Sequence, residues 1–219
     1  MNATKFKAAI FDLDGTLLDT LEDIADCMNS ALGAFGYPSH DYARYKIMVG
    51  DGMDTLVRRA IPESCCSDEN VAKCLAEMRK HYALRWADKT TLYKGIPEML
   101  DALVARGITL AVLSNKPDDF TKIVVKKMLS RWKFEPAFGA RANVPKKPDP
   151  AGAIEIAAIL ELKPAECLYI GDTNTDMWTG NSAGMYTLGA LWGFRTADEL
   201  KSSGAKALID APVDILKFI

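Results

Sequence analysis

Two carboxylates near the start of the chain, Asp12 and Asp14, are the residues best placed for chemistry, in the segment Asp-Leu-Asp-Gly-Thr. They follow the apolar run 8–11, and alternation along an extended chain puts both side chains on the same side of the strand end. Carboxylates this close repel each other, so the pair needs a cation or a shared proton. A hard cation such as Mg²⁺ would meet that need. Taken alone, the segment also fits a calcium-type loop or a turn.

A hydroxyl and an ammonium follow at two later points of the chain. Ser114 comes directly after the apolar run 110–113, where it can hold a phosphate oxygen or act as a helix N-cap. Lys147 stands in the segment Lys-Pro-Asp-Pro, whose prolines stiffen the backbone around the lysine. A fixed ammonium can neutralise an anionic phosphate and its transition state. The alternative is a solvated surface lysine, a description that suits Lys146 better.

A second pair of carboxylates, Asp172 and Asp176, follows the apolar run 168–170 in the segment Gly-Asp-Thr-Asn-Thr-Asp. With the first pair they would complete an oxygen shell for Mg²⁺, and helix capping is the alternative for each. The carboxyl ends of parallel strands meet at one edge of a sheet, where open α/β sheets bind ligands. The residues after these strand ends therefore predict one shared site.

Short apolar runs separated by helical patterns must position these residues. A further run at 186–191 and a weaker one at 208–209 add to the strands. Buried strands that alternate with helices predict an α/β fold with a Rossmann-like, doubly wound parallel sheet. The helices are expected after Gly95, after Pro117, from Pro150 to Leu162 with Ile154, Ala157, Ala158 and Leu162 on one apolar face, and from Asn174 to Ala183.

Residues 19–90 break this alternation, because they contain helical patterns and no convincing strand. We interpret them as a separate helical domain inserted after the first strand, and residues 1–18 with 91–219 as the α/β domain. Extra core is the alternative interpretation. Thr20 is the expected N-cap of the first helix. Further helices are expected at Tyr42–Val49, Asp54–Ala60 and Asp68–Trp86.

The composition of the 219-residue chain, with 49% hydrophobic and 26% charged residues, is that of a globular protein. A net charge of -2 gives no basic field to attract nucleic acid or an anionic membrane. The five cysteines lack CxxC spacing, and the first apolar run is too short for a signal peptide. We therefore expect reduced thiols in a cytoplasmic protein, with no nucleic-acid or membrane partner.

Four motifs, in order and spacing, resemble those of the haloacid dehalogenase superfamily. They are Asp-Leu-Asp-Gly-Thr at 12–16, the serine after the second core strand, Lys-Pro-x-Pro at 147–150 and Gly-Asp-Thr-x-x-Asp at 171–176. The resemblance spans the whole chain. It implies that the inserted helices form the helical type of cap domain found in that superfamily.

The resemblance also implies catalytic roles. Asp12 would be the nucleophile that forms an aspartyl-phosphate, and Asp14 would be the general acid and then the general base. Ser114 and Lys147 would bind the phosphoryl group that is transferred. An acidic residue at position 14 is typical of the phosphatases and phosphomutases of the superfamily and not of its dehalogenases.

The metal implied by the resemblance is Mg²⁺. Its ligands would be Asp12, Asp172 and the main-chain carbonyl of Asp14, while Asp176 would support the metal shell or orient Lys147. A closer resemblance is to phosphoglycolate phosphatases, through Val-Gly-Asp-Gly at 49–52, Ser-Asn-Lys at 114–116 and Trp-Gly-Phe-Arg at 192–195. It implies that the substrate is bound by Thr16, Gly50, Asp51, Gly52, Asn115 and Lys116. Relatives often have Asn in place of Asp51, and an extra carboxylate there is awkward for an anionic substrate.

Three hypotheses remain open from the sequence. The first is a phosphatase for a small phosphorylated metabolite such as 2-phosphoglycolate. The second is a sugar phosphomutase or a pyrophosphatase of the same fold. The third is a non-catalytic binding or receiver-like module, although receiver domains lack the helical insertion and the Gly-Asp-Thr-x-x-Asp motif. The expected oligomeric state is a monomer or a homodimer.

Overall fold

The computed structural model describes residues 6–219, and the chain separates into two compact units. The core unit consists of Met1–Leu18 and Leu92–Ile219, and the helical unit is Asp19–Thr91. The elements are β1 (Ala8–Phe11), β2 (Leu18–Asp19), α1 (Leu21–Ala34), α2 (Tyr42–Met48), α3 (Met53–Ala60), α4 (Asp68–Arg85), β3 (Thr91–Leu92), α5 (Ile96–Ala105), β4 (Thr109–Pro117), α6 (Asp118–Met128), β5 (Phe134–Ala140), α7 (Ala151–Ile159), β6 (Cys167–Gly171), α8 (Asn174–Ser182), β7 (Tyr186–Ala190), α9 (Ala197–Ser202) and β8 (Ala207–Ile209).

The core unit is built on a six-stranded parallel sheet with the strand order β5-β4-β1-β6-β7-β8. The central strand β1 pairs with β4 on one side and with β6 on the other, and its four residues are buried. Continuous apolar strands of this kind form where helices cover both faces of a sheet. The predicted α/β fold with a parallel sheet is confirmed.

Strand β5 is absent from the sequence prediction, although it pairs with β4 at the edge of the sheet. Its residues include Pro136 and Gly139, which are depleted in strands and tolerated at edges. A Cβ atom at Gly139 would lie 2.5 Å from the Lys116 carbonyl oxygen and from Cα of Asp118, so glycine permits the close approach. Strand β4 is also longer than expected and contains Ser114.

The predicted apolar face of α7 is partly wrong, since Ala157 is buried as expected but Ile154 is exposed. Ile154 is 46% exposed, whereas Ala153, Ile156 and Ala157 are buried with Tyr169 and Leu113 in the core of the sheet. The helix is apolar on all sides, so periodicity does not determine which face packs inward. The helix also ends at Ile159, before the expected Leu162.

The helical unit contains α1 to α4, which correspond to the four helices expected there. Their ends differ from the predicted ones by one residue. Its interior is formed by large side chains that include Tyr45, Tyr82 and Met78. Thr20 precedes α1 as predicted, but its hydroxyl makes no capping hydrogen bond. Within residues 6–219, no helix has the length and hydropathy needed to cross a membrane.

Candidate active site

The carboxyl ends of the three central strands carry the predicted site residues. Phe11 pairs with Val112 of β4 and with Ile170 of β6, so the residues that follow these positions reach the same edge of the sheet. Asp12 is 5% exposed, Ser114 is 4% exposed and Asp172 is fully buried. Lys147 reaches the same edge from the segment before α7, as its ion pairs show. The topology therefore assembles residues that are far apart in sequence.

Three carboxylates form a buried cluster at this edge. Asp12, Asp172 and Asp176 each offer an oxygen, and these oxygens lie within 4.8 Å of one another. Asp172 is held by the Thr16 hydroxyl, which donates to Oδ1 at 2.8 Å, and by the Phe194 backbone N–H, which donates to Oδ2 at 2.8 Å. Thr16 thus contacts a cluster carboxylate, and its expected role in substrate binding stays a prediction.

Lys147 supplies the positive charge beside this cluster. Its Nζ lies 2.8 Å from Asp12 Oδ1 and 2.7 Å from Asp176 Oδ1, and its side chain is 2% exposed. The second oxygen of Asp176 accepts hydrogen bonds from the N–H and the hydroxyl of Thr173. Asn115 Nδ2 donates to the Lys147 carbonyl oxygen at 3.0 Å. Lys147 is therefore fixed through both its side chain and its backbone, and it is not the surface lysine of the alternative interpretation.

Burial determines the electrostatics of the cluster. It raises the pKa of Asp12 well above the usual range, and the negative charges of Asp176 and Asp172 raise it further, although Lys147 opposes the shift. Burial and the charge of Asp176 raise the pKa of Asp172 to about 7. Burial disfavours the Lys147 ammonium, but the charges of Asp12 and Asp176 outweigh it and raise the pKa of Lys147.

The cluster has the composition of a site for a hard divalent cation. It places three carboxylates next to one ammonium, so full ionisation leaves an excess of negative charge in a buried place. An all-oxygen ligand set is the one that Mg²⁺ prefers. The residues present therefore fit the metal implied by the sequence.

Asp14 stands apart from the carboxylate cluster. Both of its side-chain oxygens lie 2.8 Å from Nζ of Lys116, whose side chain is 2% exposed. Its expected contact with a metal runs through the main-chain carbonyl and stays a prediction. The pairing with Lys116, a residue expected to bind substrate, is not readable from the sequence because the two residues are 102 positions apart.

Ser114 lies within strand β4, and its hydroxyl oxygen accepts a hydrogen bond from the Lys116 N–H at 3.2 Å. Helix α6 begins only at Asp118, with Pro117 at the capping position. The alternative of a helix N-cap at Ser114 is therefore wrong.

The glycine-rich loop expected to bind substrate belongs to the helical unit. Gly50 and Gly52 have positive φ angles of 127° and 88°, which glycine adopts at little cost. Asp51 forms an ion pair with Arg59 at 2.6 Å, and Arg59 also donates to the Met48 carbonyl oxygen. The ion pair offsets the extra carboxylate in this loop. The role of Gly50, Asp51 and Gly52 in substrate binding stays a prediction.

Some contributors to the site were missed as such in the sequence analysis. Thr173 caps α8 in a reciprocal arrangement with Asp176, and the Thr-x-x-Asp spacing is a readable signal for it. A Cβ atom at Gly193 would lie 2.3 Å from Cβ of Asp172, so the loop packs directly against this carboxylate. Trp192 Nε1 donates to the Thr16 carbonyl oxygen. In the sequence, the resemblance to phosphoglycolate phosphatases is the signal that points to segment 192–195.

The chain is similar to known proteins over most or all of its length. The family model described as haloacid dehalogenase-like hydrolase matches residues 9–190. The phosphoglycolate phosphatase of Vibrio parahaemolyticus is 27% identical over 224 residues, which cover 100% of this chain and 98% of that protein. The phosphoglycolate phosphatase of Aquifex aeolicus is 30% identical, covering 97% and 96% of the two chains.

A solved structure is similar over nearly its full length. The crystal structure of a predicted phosphoglycolate phosphatase from Haemophilus somnus 129pt superposes with a TM-score of 0.91 and is 28% identical. The superposition covers 99% of this chain and 99% of that one.

Proposed function

This chain belongs to the haloacid dehalogenase-like hydrolases, and we propose that it is a Mg²⁺-dependent phosphatase of a small phosphomonoester, with 2-phosphoglycolate as the first candidate. The family predicted from the sequence and its class of enzyme, a hydrolase, are confirmed. The observation that carries the proposal is the placement of Lys147 between Asp12 and Asp176, beside the carboxylate of Asp172. This arrangement suits an anionic phosphoryl group.

Asp12 would be the nucleophile. One of its oxygens would form a bond to phosphorus while the bond from phosphorus to the ester oxygen breaks, which gives an aspartyl-phosphate. Water would then cleave that acyl phosphate and release inorganic phosphate. Dividing hydrolysis in this way replaces one difficult step by two easier ones. The ammonium of Lys147, already 2.8 Å from Asp12, would offset charge on the phosphoryl oxygens together with the hydroxyl of Ser114.

Asp14 would protonate the leaving oxygen and later accept a proton from the attacking water. Its ion pair with Lys116 would have to open for this role. A second anionic group on the substrate would provide an exchange partner for Lys116, and the carboxylate of 2-phosphoglycolate is such a group. Thr16, Asn115 and the loop 50–52 remain candidates for further substrate contacts.

Bound Mg²⁺ would neutralise charge on the phosphoryl oxygens. Asp12, Asp172 and the main-chain carbonyl of Asp14 would hold it. Asp176 has one oxygen on Lys147 and the other on Thr173, and these contacts favour a role in orienting the lysine. The names of similar proteins support 2-phosphoglycolate as the substrate. We also propose that the enzyme acts in the cytoplasm.

The proposal is tested by phosphate release from a panel of phosphorylated metabolites with and without Mg²⁺. We expect the highest kcat/KM for a phosphomonoester that carries a second anionic group, and a loss of at least about 10³-fold for Asp12→Asn, since the nucleophile is removed. Asp198→Asn, which changes an exposed aspartate on α9, is the matched control and should keep full activity. Full activity of Asp12→Asn, or isomerised sugar phosphate as the product, would contradict the proposal.

A further inference from the structure

Tyr169 lies behind the carboxylate cluster, on β6, and is fully buried. Its Cα pairs with Ile10 of β1, and its side chain shares a face of the sheet with Gly171, two residues further along the strand. A Cβ atom on Gly171 would lie only 2.2 Å from Cγ of Asp176, so Asp176 rests on this same face. Tyr169 is thus placed beneath the carboxylate that accepts a hydrogen bond from Lys147.

The hydroxyl of Tyr169 has no hydrogen-bond partner of good geometry among the described residues. A buried polar group without a partner destabilises a fold, and phenylalanine would pack there without that cost. Burial raises the pKa of Tyr169 well above its usual range, and the charged groups that act on it are Lys147, Asp176 and Asp12. The hydroxyl is therefore a neutral oxygen next to the Lys147 ammonium.

Lys147 donates a hydrogen bond to Asp176 Oδ1, whereas its 2.8 Å contact with Asp12 Oδ1 is an ion pair without hydrogen-bond geometry, so the ammonium has a further N–H to satisfy. An ammonium carries three N–H donors, and its closest partners here are Asp12 Oδ1 and Asp176 Oδ1. The third N–H needs an acceptor in a place where the side chain is only 2% exposed. Water has little access to that place, and the buried Tyr169 hydroxyl is near enough to Lys147 for a side-chain hydrogen-bonding interaction to act on its pKa.

We propose that Tyr169 is a positioning residue for Lys147, and that its hydroxyl accepts the third N–H of the ammonium. Asp176 and Tyr169 then fix the Lys147 ammonium by hydrogen bonds. The N–H closest to Asp12 can turn toward the phosphoryl group during transfer. This inference rests on the proposed function for the role of Lys147.

The test is Tyr169→Phe, which removes the hydroxyl and keeps the ring. We expect kcat to fall by about 10-fold to 100-fold, as for a lost hydrogen bond to a charged group, with KM changed by less than about threefold. Thermal stability should also fall, because the buried ammonium loses the acceptor of one of its N–H groups. Tyr45→Phe is the matched control, since the equally buried Tyr45 donates to Asn29 in the helical unit. It should lower stability and leave kcat unchanged.

A double-mutant cycle distinguishes positioning of Lys147 from a general structural effect. In a Lys147→Ala background, Tyr169→Phe should cause no further loss of kcat, because the group that it positions is gone. Multiplicative losses in the double variant, or a kcat of Tyr169→Phe within twofold of wild type, would overturn the proposal.

A readout that needs no activity separates this proposal from the proposed function. In lysine labelled with ¹⁵N, the ammonium resonance of Lys147 should shift or broaden in Tyr169→Phe and should be unchanged in Tyr45→Phe. If the wild-type enzyme released no phosphate from any compound and this shift still occurred, the proposed function would fail and the Tyr169 assignment would stand. An unchanged resonance would overturn the assignment.

Discussion

The helical unit and the core unit differ in the partners of their buried carboxylates. In the helical unit the buried carboxylate of Asp23 accepts hydrogen bonds from two backbone N–H groups and a hydroxyl, at Lys89 and Thr90. The ion pairs of the helical unit, such as that of Arg58 with Asp54, lie at the surface. In the core unit, three buried carboxylates lie together, and two of them, Asp12 and Asp176, pair with Lys147.

This difference separates a structural use of charge from a chemical one. A buried ion is tolerated at low cost when neutral donors satisfy it, as they do at Asp23. Like charges that are buried together stay unfavourable until a cation arrives. The core unit keeps such a cluster, and proteins retain such unfavourable arrangements chiefly at functional sites.

The largest effect is expected for Lys147→Ala. The variant leaves the buried Asp12 and Asp176 without their positive partner, and breaking a buried ion pair from one side costs about 3–5 kcal/mol of unfolding free energy. Activity should fall by at least about 10³-fold because the phosphoryl group loses a fixed cation. Urea unfolding and phosphate release measure the two effects.

The control for Lys147→Ala is Arg58→Ala in the helical unit. Arg58 pairs with Asp54 and Asp68 at the surface, where ion pairs contribute little. We expect unfolding and activity to stay close to wild type. Equal losses in the two variants would mean that the contrast between the units is not one of buried and exposed charge.

The next largest effect is expected for Asp23→Asn. The amide group would turn a donor toward the N–H groups at Lys89 and Thr90, so the unfolding free energy should fall by about 2 kcal/mol. The folded variant should keep the kcat of wild type, because Asp23 serves the helical unit alone. Asp26→Asn, on the same helix with partners nearer the surface, should cost less. A selective loss of kcat in Asp23→Asn would contradict the distinction between a structural carboxylate in the helical unit and the chemical cluster in the core unit.

A pH dependence of stability is also expected in the metal-free protein. The pKa of Asp172 is raised to about 7 from an ordinary value of about 4, so its protonated form favours the fold. Its contribution is fully present below about pH 4 and is lost as the pH rises through about 7. The melting temperature of wild type minus that of Asp172→Asn should therefore decrease over this range in a chelator.

Added Mg²⁺ should reverse that trend, because a bound cation favours the ionised carboxylate. The melting temperature of wild type should then rise relative to Asp172→Asn at neutral pH. A difference between the two proteins that is flat with pH in both conditions would show that Asp172 is not held in an unfavourable charged state.

Much of the core unit was predictable, since its central strands are short apolar runs that end in polar residues. Strand β5 was not, because Pro136 and Gly139 hide an edge strand whose evidence is its pairing with β4. The predicted buried face of α7 was partly wrong because the helix gives too little contrast between its faces. Its residues are apolar on every side, so only contact with the sheet selects the buried ones, such as Ile156.

The amino-acid sequence alone specifies which chemical groups follow the apolar runs, because the link between such a run and the next residue is local. It also determined the order of the motifs, and so the family. Which charged side chains contact each other depends on the tertiary structure. Asp14 forms an ion pair with Lys116, Asp176 forms one with Lys147, and Asp172 accepts a hydrogen bond from Thr16. Contacts of about 3 Å depend on the register of neighbouring strands and on the packing of helices against them, and no local pattern in the sequence encodes such distances.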